Sequence, residues 1–365
     1  MIVIDLDSKV LSFTGLRNTR TAPWCWWVGP TNIERTTAMD RRSLLQKGGA
    51  ASAAMLLPGA SLWAQAPYPD RPIKLIVPWS AGGSTDVLAR AVGQSMADGL
   101  GKPVVIDNRP GAAGRLGVDA MVKSAADGYT LAIIELAHAI APSIYQKMPY
   151  DIMNDSAAIS TLGVSPLVLV VDAQKYQAGQ HQKFVADAKK AAEPLSIATS
   201  GTGSISHLAA GLYAKEAKLE LQMIPYKGSA PALTDVAAGV LSGHFCTLAS
   251  ASSLFSAGKI VPLMVTGNRR VPQLANVPSA SELGLNTMDF GQWWALVAPV
   301  KVPKPIITAL HKATATALAD KQVQSRISSL AIQLGSCSPD EAQAFIRAEA
   351  IKWAKVVNSL GIKPE

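Results

Sequence analysis

The chain has 365 residues, 34 basic and 26 acidic, for a formal net charge of +8. Nearly half of it, 48%, is hydrophobic, as a folded protein requires, and the length suffices for two modest domains or one large one. Its charges are dispersed and form no basic stripe interleaved with aromatics, which argues against nucleic acid as a partner.

Residues 39–66 have the three-part build of a secretory signal. Asp40-Arg41-Arg42-Ser43 is a charged n-region, Gly48 to Leu57 a mildly apolar run, and Ala64-Gln65-Ala66 a small-x-small cleavage site. A signal belongs at the N-terminus, yet residues 1–38, with Trp24-Cys25-Trp26-Trp27, precede it, so translation is expected to begin at Met39. The apolar run is too short to span a bilayer, which takes roughly 20 residues. The paired arginines fit the twin-arginine route for folded cargo, although general secretion signals also carry two basic residues. Cleavage after Ala66 leaves Pro67 first, and cleavage after Ala64 is the alternative. A periplasmic protein, soluble once cleaved, is therefore expected. Setting aside the 7 basic and 4 acidic residues of 1–66 leaves 27 and 22, a mature charge of +5 that weakly favours anionic ligands.

The mature chain opens with alternating strand and helix. Ile73 to Val77 predicts a strand, and after Gly82-Gly83 the residues Val87, Leu88, Ala91, Val92 and Met96 recur at helical spacing as far as Gly99. Val104 to Ile106 is a second strand, Asn108 to Gly111 a turn, and Val118, Met121 and Val122 mark another helix. Thr130 to Ile134 is a third strand. Strands separated by single helices imply a parallel sheet. A second set begins near Ser165, with strands at Leu167 to Val171, Leu195 to Thr199, from Met223 and at Ile260 to Thr266. Its helices carry Ile205, Leu208, Ala209 and Leu212, then Leu233 and Val236. Phe290 to Val297 reads as a strand returning to the first set, and helices over Ile306 to Leu318 and Pro339 to Leu360 close the chain. The expected architecture is α/β with two lobes. Lobe 1 takes 67–165, lobe 2 takes 166–286, and 287–365 returns to lobe 1.

Two loops stand out. Trp79-Ser80-Ala81-Gly82-Gly83-Ser84-Thr85-Asp86 and Ser200-Gly201-Thr202-Gly203-Ser204 both follow a strand and open a helix. Their glycines allow tight turns that expose backbone N–H groups, and a helix N-terminus favours an anion. Ser84, Thr85, Ser200 and Ser204 add hydroxyls, which serve either a ligand or their helix caps. Either loop alone is more simply an ordinary strand-to-helix turn. One in each lobe suggests a clamp for a carboxylate.

Other motifs are weaker. Gly111-x-x-Gly114-x-x-Gly117 has the wrong spacing for a dinucleotide fingerprint. Gly203-Ser204-Ile205-Ser206-His207 looks like a serine elbow, but His207 stands where the motif needs glycine. No triad order, carboxylate pair or zinc-spaced Cys/His cluster compels chemistry, so no catalytic residue, metal or cofactor is assigned. The alternative is a periplasmic hydrolase using Ser204 or Ser206 with His207.

In this order the motifs resemble the Bug (TctC-type) extracytoplasmic solute receptors, the binding components of tripartite tricarboxylate transporters. The markers run from Tyr68-Pro69-Asp70-Arg71-Pro72 through Pro78 to Asp86 and Val105 to Ala112. They continue with Met148-Pro149-Tyr150-Asp151, Ser200 to Ser204 with His207, and Pro225-Tyr226-Lys227-Gly228. The resemblance implies a two-lobed periplasmic-binding-protein fold, type II-like, with the ligand cleft between lobes. It implies that both loops hold a ligand carboxylate and that Leu136-Ala137-His138-Ala139 lines the cleft, with Trp293-Trp294 at its edge or in the core. It further implies membrane permease subunits as partners and a monomeric receptor without enzymatic activity, used for transport or for ligand sensing. Departures from the family pattern include Ala81, Ala141, Ser242 and Cys246, the last two at positions usually acidic.

Overall fold

The computed structural model describes residues 68–361, so the expected N-terminal extension and signal lie outside the described residues. Strand β1 (Ile73–Val77) is buried at every position except Lys74, as befits a strand covered on both faces by helices. β2 (Val104–Asn108) and β3 (Thr130–Glu135) flank it and run parallel to it. Helix Ser84–Leu100 connects β1 to β2 and turns Leu88, Val92 and Met96 inward. It outlasts Gly99 and ends at Gly101, whose φ of 66° gives the left-handed cap.

β4 (Ser156–Pro166) leads through Leu167 directly into β5 (Val168–Asp172), which belongs to a second sheet. There follow β6 (Leu195–Thr199), β7 (Leu221–Pro225), β8 (Gly243–Cys246) and β9 (Ile260–Val265). The chain then returns as β10 (Gly291–Pro299) and ends its strands with β11 (Gln333–Leu334). The first sheet has the order β11-β4-β10-β3-β1-β2 and the second β7-β6-β8-β5-β9.

The sheets are mixed, where the alternation of strand and helix predicts parallel pairing throughout. β10 is antiparallel to β3 and β4, and β5 is antiparallel to β8 and β9. A strand that arrives from the other sheet enters at the end where helix-fed strands leave, so it must run the opposite way.

Each sheet has its own core. Leu75, Val77, Leu131, Ile133 and Leu296 pack with the Ser84–Leu100 helix in the first, and Val168, Val170, Ala198, Leu233 and Val236 form the second. A third cluster, including Ile134, Trp293, Leu169, Ile197 and Leu208, continues from one lobe into the other. The C-terminal helix Pro339–Ser359 starts with a Ser338–Glu341 capping box and sets Trp353 against Phe290 and Phe345 against Trp293. Trp293 and Trp294 are therefore core residues, both buried. The spaced glycines have a packing role: a Cβ on Gly117 would lie 2.9 Å from the Pro78 Cα.

Candidate functional site

The ends of β1, β3, β6 and β8 meet around one cavity of about 40 Å3, room for about three water-sized groups. Such a place, outside the carboxyl ends of parallel strands, is where open α/β sheets bind ligands. From the first loop come Trp79, Ser80, Gly83, Ser84 and Thr85, and from the second Ser200, Ser204, Ile205 and Ser206. The lobes touch across it. Ser80 Oγ donates to the Lys227 carbonyl at 2.9 Å, the Ser84 amide donates to Ser250 Oγ at 2.9 Å, and Tyr145 donates to the Thr202 carbonyl at 2.7 Å.

The first loop is held by Asp86 from outside the cavity. Its carboxylate accepts from the Gly82 amide at 3.0 Å, from Asn108 Nδ2 at 3.0 Å and from Arg90. Asn108 Nδ2 also donates to the Trp79 carbonyl. Burial works against the Asp86 charge, but the bonds from Arg90, Gly82 and Asn108 outweigh it and hold the carboxyl below its usual range. Asp86 thus shapes the loop, while Ala81 and Gly82 sit on its exposed side.

In the second loop Gly201 and Gly203 have φ of 128° and 77°, and Ser204 caps helix Ile205–Ala217 by accepting from the His207 amide. Ser204 Oγ and Ser206 Oγ lie 2.9 Å apart, and Ser206 Oγ accepts from the Ser200 amide at 2.7 Å. Only one hydroxyl proton is used between the two serines, which leaves the other for the cavity. Ser200 behaves differently. His244 Nδ1 lies 2.8 Å from the Ala198 carbonyl, which can only accept, so Nδ1 carries the proton. Burial lowers His244 to about 4, and its neutral Nε2 accepts from Ser229 at 3.1 Å. Ser229 must then accept from Ser200 at 2.9 Å, which commits the Ser200 proton away from a ligand. The sequence suggests Ser200 as a donor to a ligand; the His244 chain takes its proton for Ser229 and leaves it able only to accept from a ligand.

His138 and Ala139 lie beneath the cavity wall and not on its surface. His138 Nδ1 accepts the Glu135 amide at 3.1 Å, and burial lowers the ring to about 4, so it is neutral. His207 Nδ1 accepts the Gly203 amide at 3.1 Å, and Thr202 gives its carbonyl to Tyr145. Both therefore support the second loop.

Several lining residues escape a reading by motif: Glu135, Ser229, Cys246, Thr247, Ser250 and Gln292. Glu135, Ser229 and Gln292 lie on elements the sequence predicts but at positions no motif marks, whereas Cys246, Thr247 and Ser250 come from a short strand and a helix that the pattern does not flag. The presence of Cys246 does register as a departure at a usually acidic position. It is a free thiol, as is the buried Cys337.

The sequence model of the tripartite tricarboxylate transporter family receptor matches residues 88–362. The chain belongs to this family. Protein BugT of Bordetella pertussis is 34% identical over 298 residues, which cover 81% of this chain and 91% of BugT. The periplasmic binding protein BugD has 28% identity and a TM-score of 0.76, with 82% of this chain and 100% of BugD covered. An R. palustris protein solved with adipate has 30% identity and a TM-score of 0.78, with 82% and 100% covered. The Bug-type receptor is thus a solute-binding protein with the two-lobed periplasmic-binding-protein fold, and the hydrolase alternative falls. The family implies export, and no helix among the described residues is long and apolar enough to cross a membrane.

Proposed function

We propose that this receptor captures a small organic carboxylate between the loops Trp79–Asp86 and Ser200–Ser204 and delivers it to membrane permease subunits of a tripartite transporter. The observation that carries this reading is the convergence of both loops, with the helix start at Ser84 and the capped helix at Ser204, on one cavity free of Lys and Arg. Helix N-termini and hydroxyl dipoles suit a carboxylate, whereas a phosphate more often recruits an arginine fork. Adipate in the R. palustris relative supports the same ligand class. Residues 39–66 direct the chain to the periplasm, where it acts as a soluble monomer after cleavage. Lobe 1 comprises 67–165 and 287–365, and lobe 2 comprises 166–286. Ala81, Gly82, Gly201, Thr202, Gly203, His207 and Asp86 set the shape of the clamp, and Ser204 touches the ligand.

Calorimetry on Ser204→Ala tests this. A hydrogen bond to a charged group contributes about 1.5–3 kcal/mol, so binding of the ligand carboxylate should weaken roughly ten- to hundredfold. An unchanged dissociation constant would show that the Ser204 hydroxyl only caps its helix.

A further inference from the structure

Glu135 is the only acidic or basic side chain among the described residues that line the cavity. A clamp for carboxylates has no evident use for an acid. The surroundings of Glu135 are nevertheless built for it. Trp294 Nε1 donates to Thr85 Oγ1 at 3.0 Å, and Thr85 donates in turn to Glu135 Oε2 at 3.1 Å. Gln292 Nε2 donates to the same oxygen. Trp79 Nε1 faces the carboxyl without the geometry of a hydrogen bond. Donors converging on one oxygen suit a carboxylate.

On the other side the site lacks a donor. Gln292 is 2% exposed, lines the cavity, and its Oε1 is a buried acceptor without a partner. A buried carboxyl group beside an unpaired amide oxygen, with no Lys or Arg lining the cavity, offers a positively charged donor two acceptors once the carboxyl gives up its proton. The neighbouring ionisable groups do not supply it. His138, on the helix after β3, is neutral, and Asp86 on the Ser84–Leu100 helix is turned toward Arg90.

We propose that Glu135 and Gln292 bind the ammonium group of an amino carboxylate whose carboxylate is held by the two loops. This rests on the cavity being the ligand site. A second ligand carboxylate at the same place would meet the unpaired Gln292 oxygen, an acceptor, and would not draw the proton off Glu135.

Burial holds Glu135 up at about 8, so near pH 7 it is mostly protonated, and binding of an ammonium releases about one proton. Calorimetry should compare L-alanine with propionate, L-aspartate with succinate and L-glutamate with glutarate, in two buffers of different ionisation enthalpy. At least one amino member should bind tenfold or more tightly than its deaminated partner and release about one proton. Glu135→Gln should weaken that binding about 10- to 100-fold and abolish proton release. Gln292→Met should weaken it about tenfold, independently of how Glu135→Gln folds. Equal or tighter binding of the deaminated acids, or amino-acid binding without proton release, overturns the ammonium site and leaves the carboxylate clamp standing. Binding of neither class overturns both.

Discussion

Glu135 lies at the end of β3 with 7% of its surface exposed, and burial raises its carboxyl from 4.5 to about 8. Between those values the folded protein keeps a proton that the unfolded chain has lost. Folding stability therefore falls as pH rises from about 4.5 to about 8, by a few kcal/mol in total. Glu135→Gln has no charge to desolvate. Its thermal midpoint, relative to the parent protein, should rise steadily from pH 5 to pH 8 by scanning calorimetry, and a pH-independent difference would show that Glu135 is solvated. His138 and His244 act with the opposite sign. Both are lowered from 6.5 to about 4 by burial, so their contribution is lost as pH falls through that window. None of these three side chains carries a local motif. His138 enters the sequence reading only through a family stretch, and Glu135 not at all, because their roles come from burial between elements distant in sequence.

At the scale of elements, the strands with long apolar runs were legible: β1 and β6 have the predicted ends, since Ile73 to Val77 and Leu195 to Thr199 alternate with clear helices. β4 and β8 were not. Ser156–Pro166 is rich in small polar residues and becomes a strand through antiparallel pairing with β10, more than a hundred residues away. Gly243–Cys246 has four residues and is set by pairing with β5 and β6. Both loops of the proposed clamp were visible because glycine and serine punctuate them, whereas Thr247 and Ser250 belong to a helix, Leu248–Ser256, and its cap that only the fold reveals. The turn before helix Arg115–Val122 offers a test of how tightly elements fit beneath the site. Gly114 has a φ of 87°, and a Cβ there would come within 2.4 Å of His138 Nε2. The His138 ring cannot withdraw without losing its bond to the Glu135 amide. Gly114→Ala should cost roughly 2–4 kcal/mol in urea denaturation, from left-handed backbone and overpacking together. A change under about 0.5 kcal/mol would mean that this contact is loose.

At the scale of the molecule, two crossings join the sheets, one at Leu167 between β4 and β5 and one between β9 and β10. The described structure has the lobes in contact through Ser80, Ser84 and Tyr145, and the proposed capture of a ligand between the loops predicts rotation about those crossings. A ligand that binds only the folded, closed form adds stability that grows with its concentration. A thermal-shift panel on the purified receptor therefore tests the proposed carboxylate clamp most directly. Small organic acids, amino carboxylates included, should raise the midpoint in a concentration-dependent way, while neutral sugars and sugar phosphates leave it unchanged. A sugar or a metal ion as the sole stabilising compound would contradict the clamp at both loops.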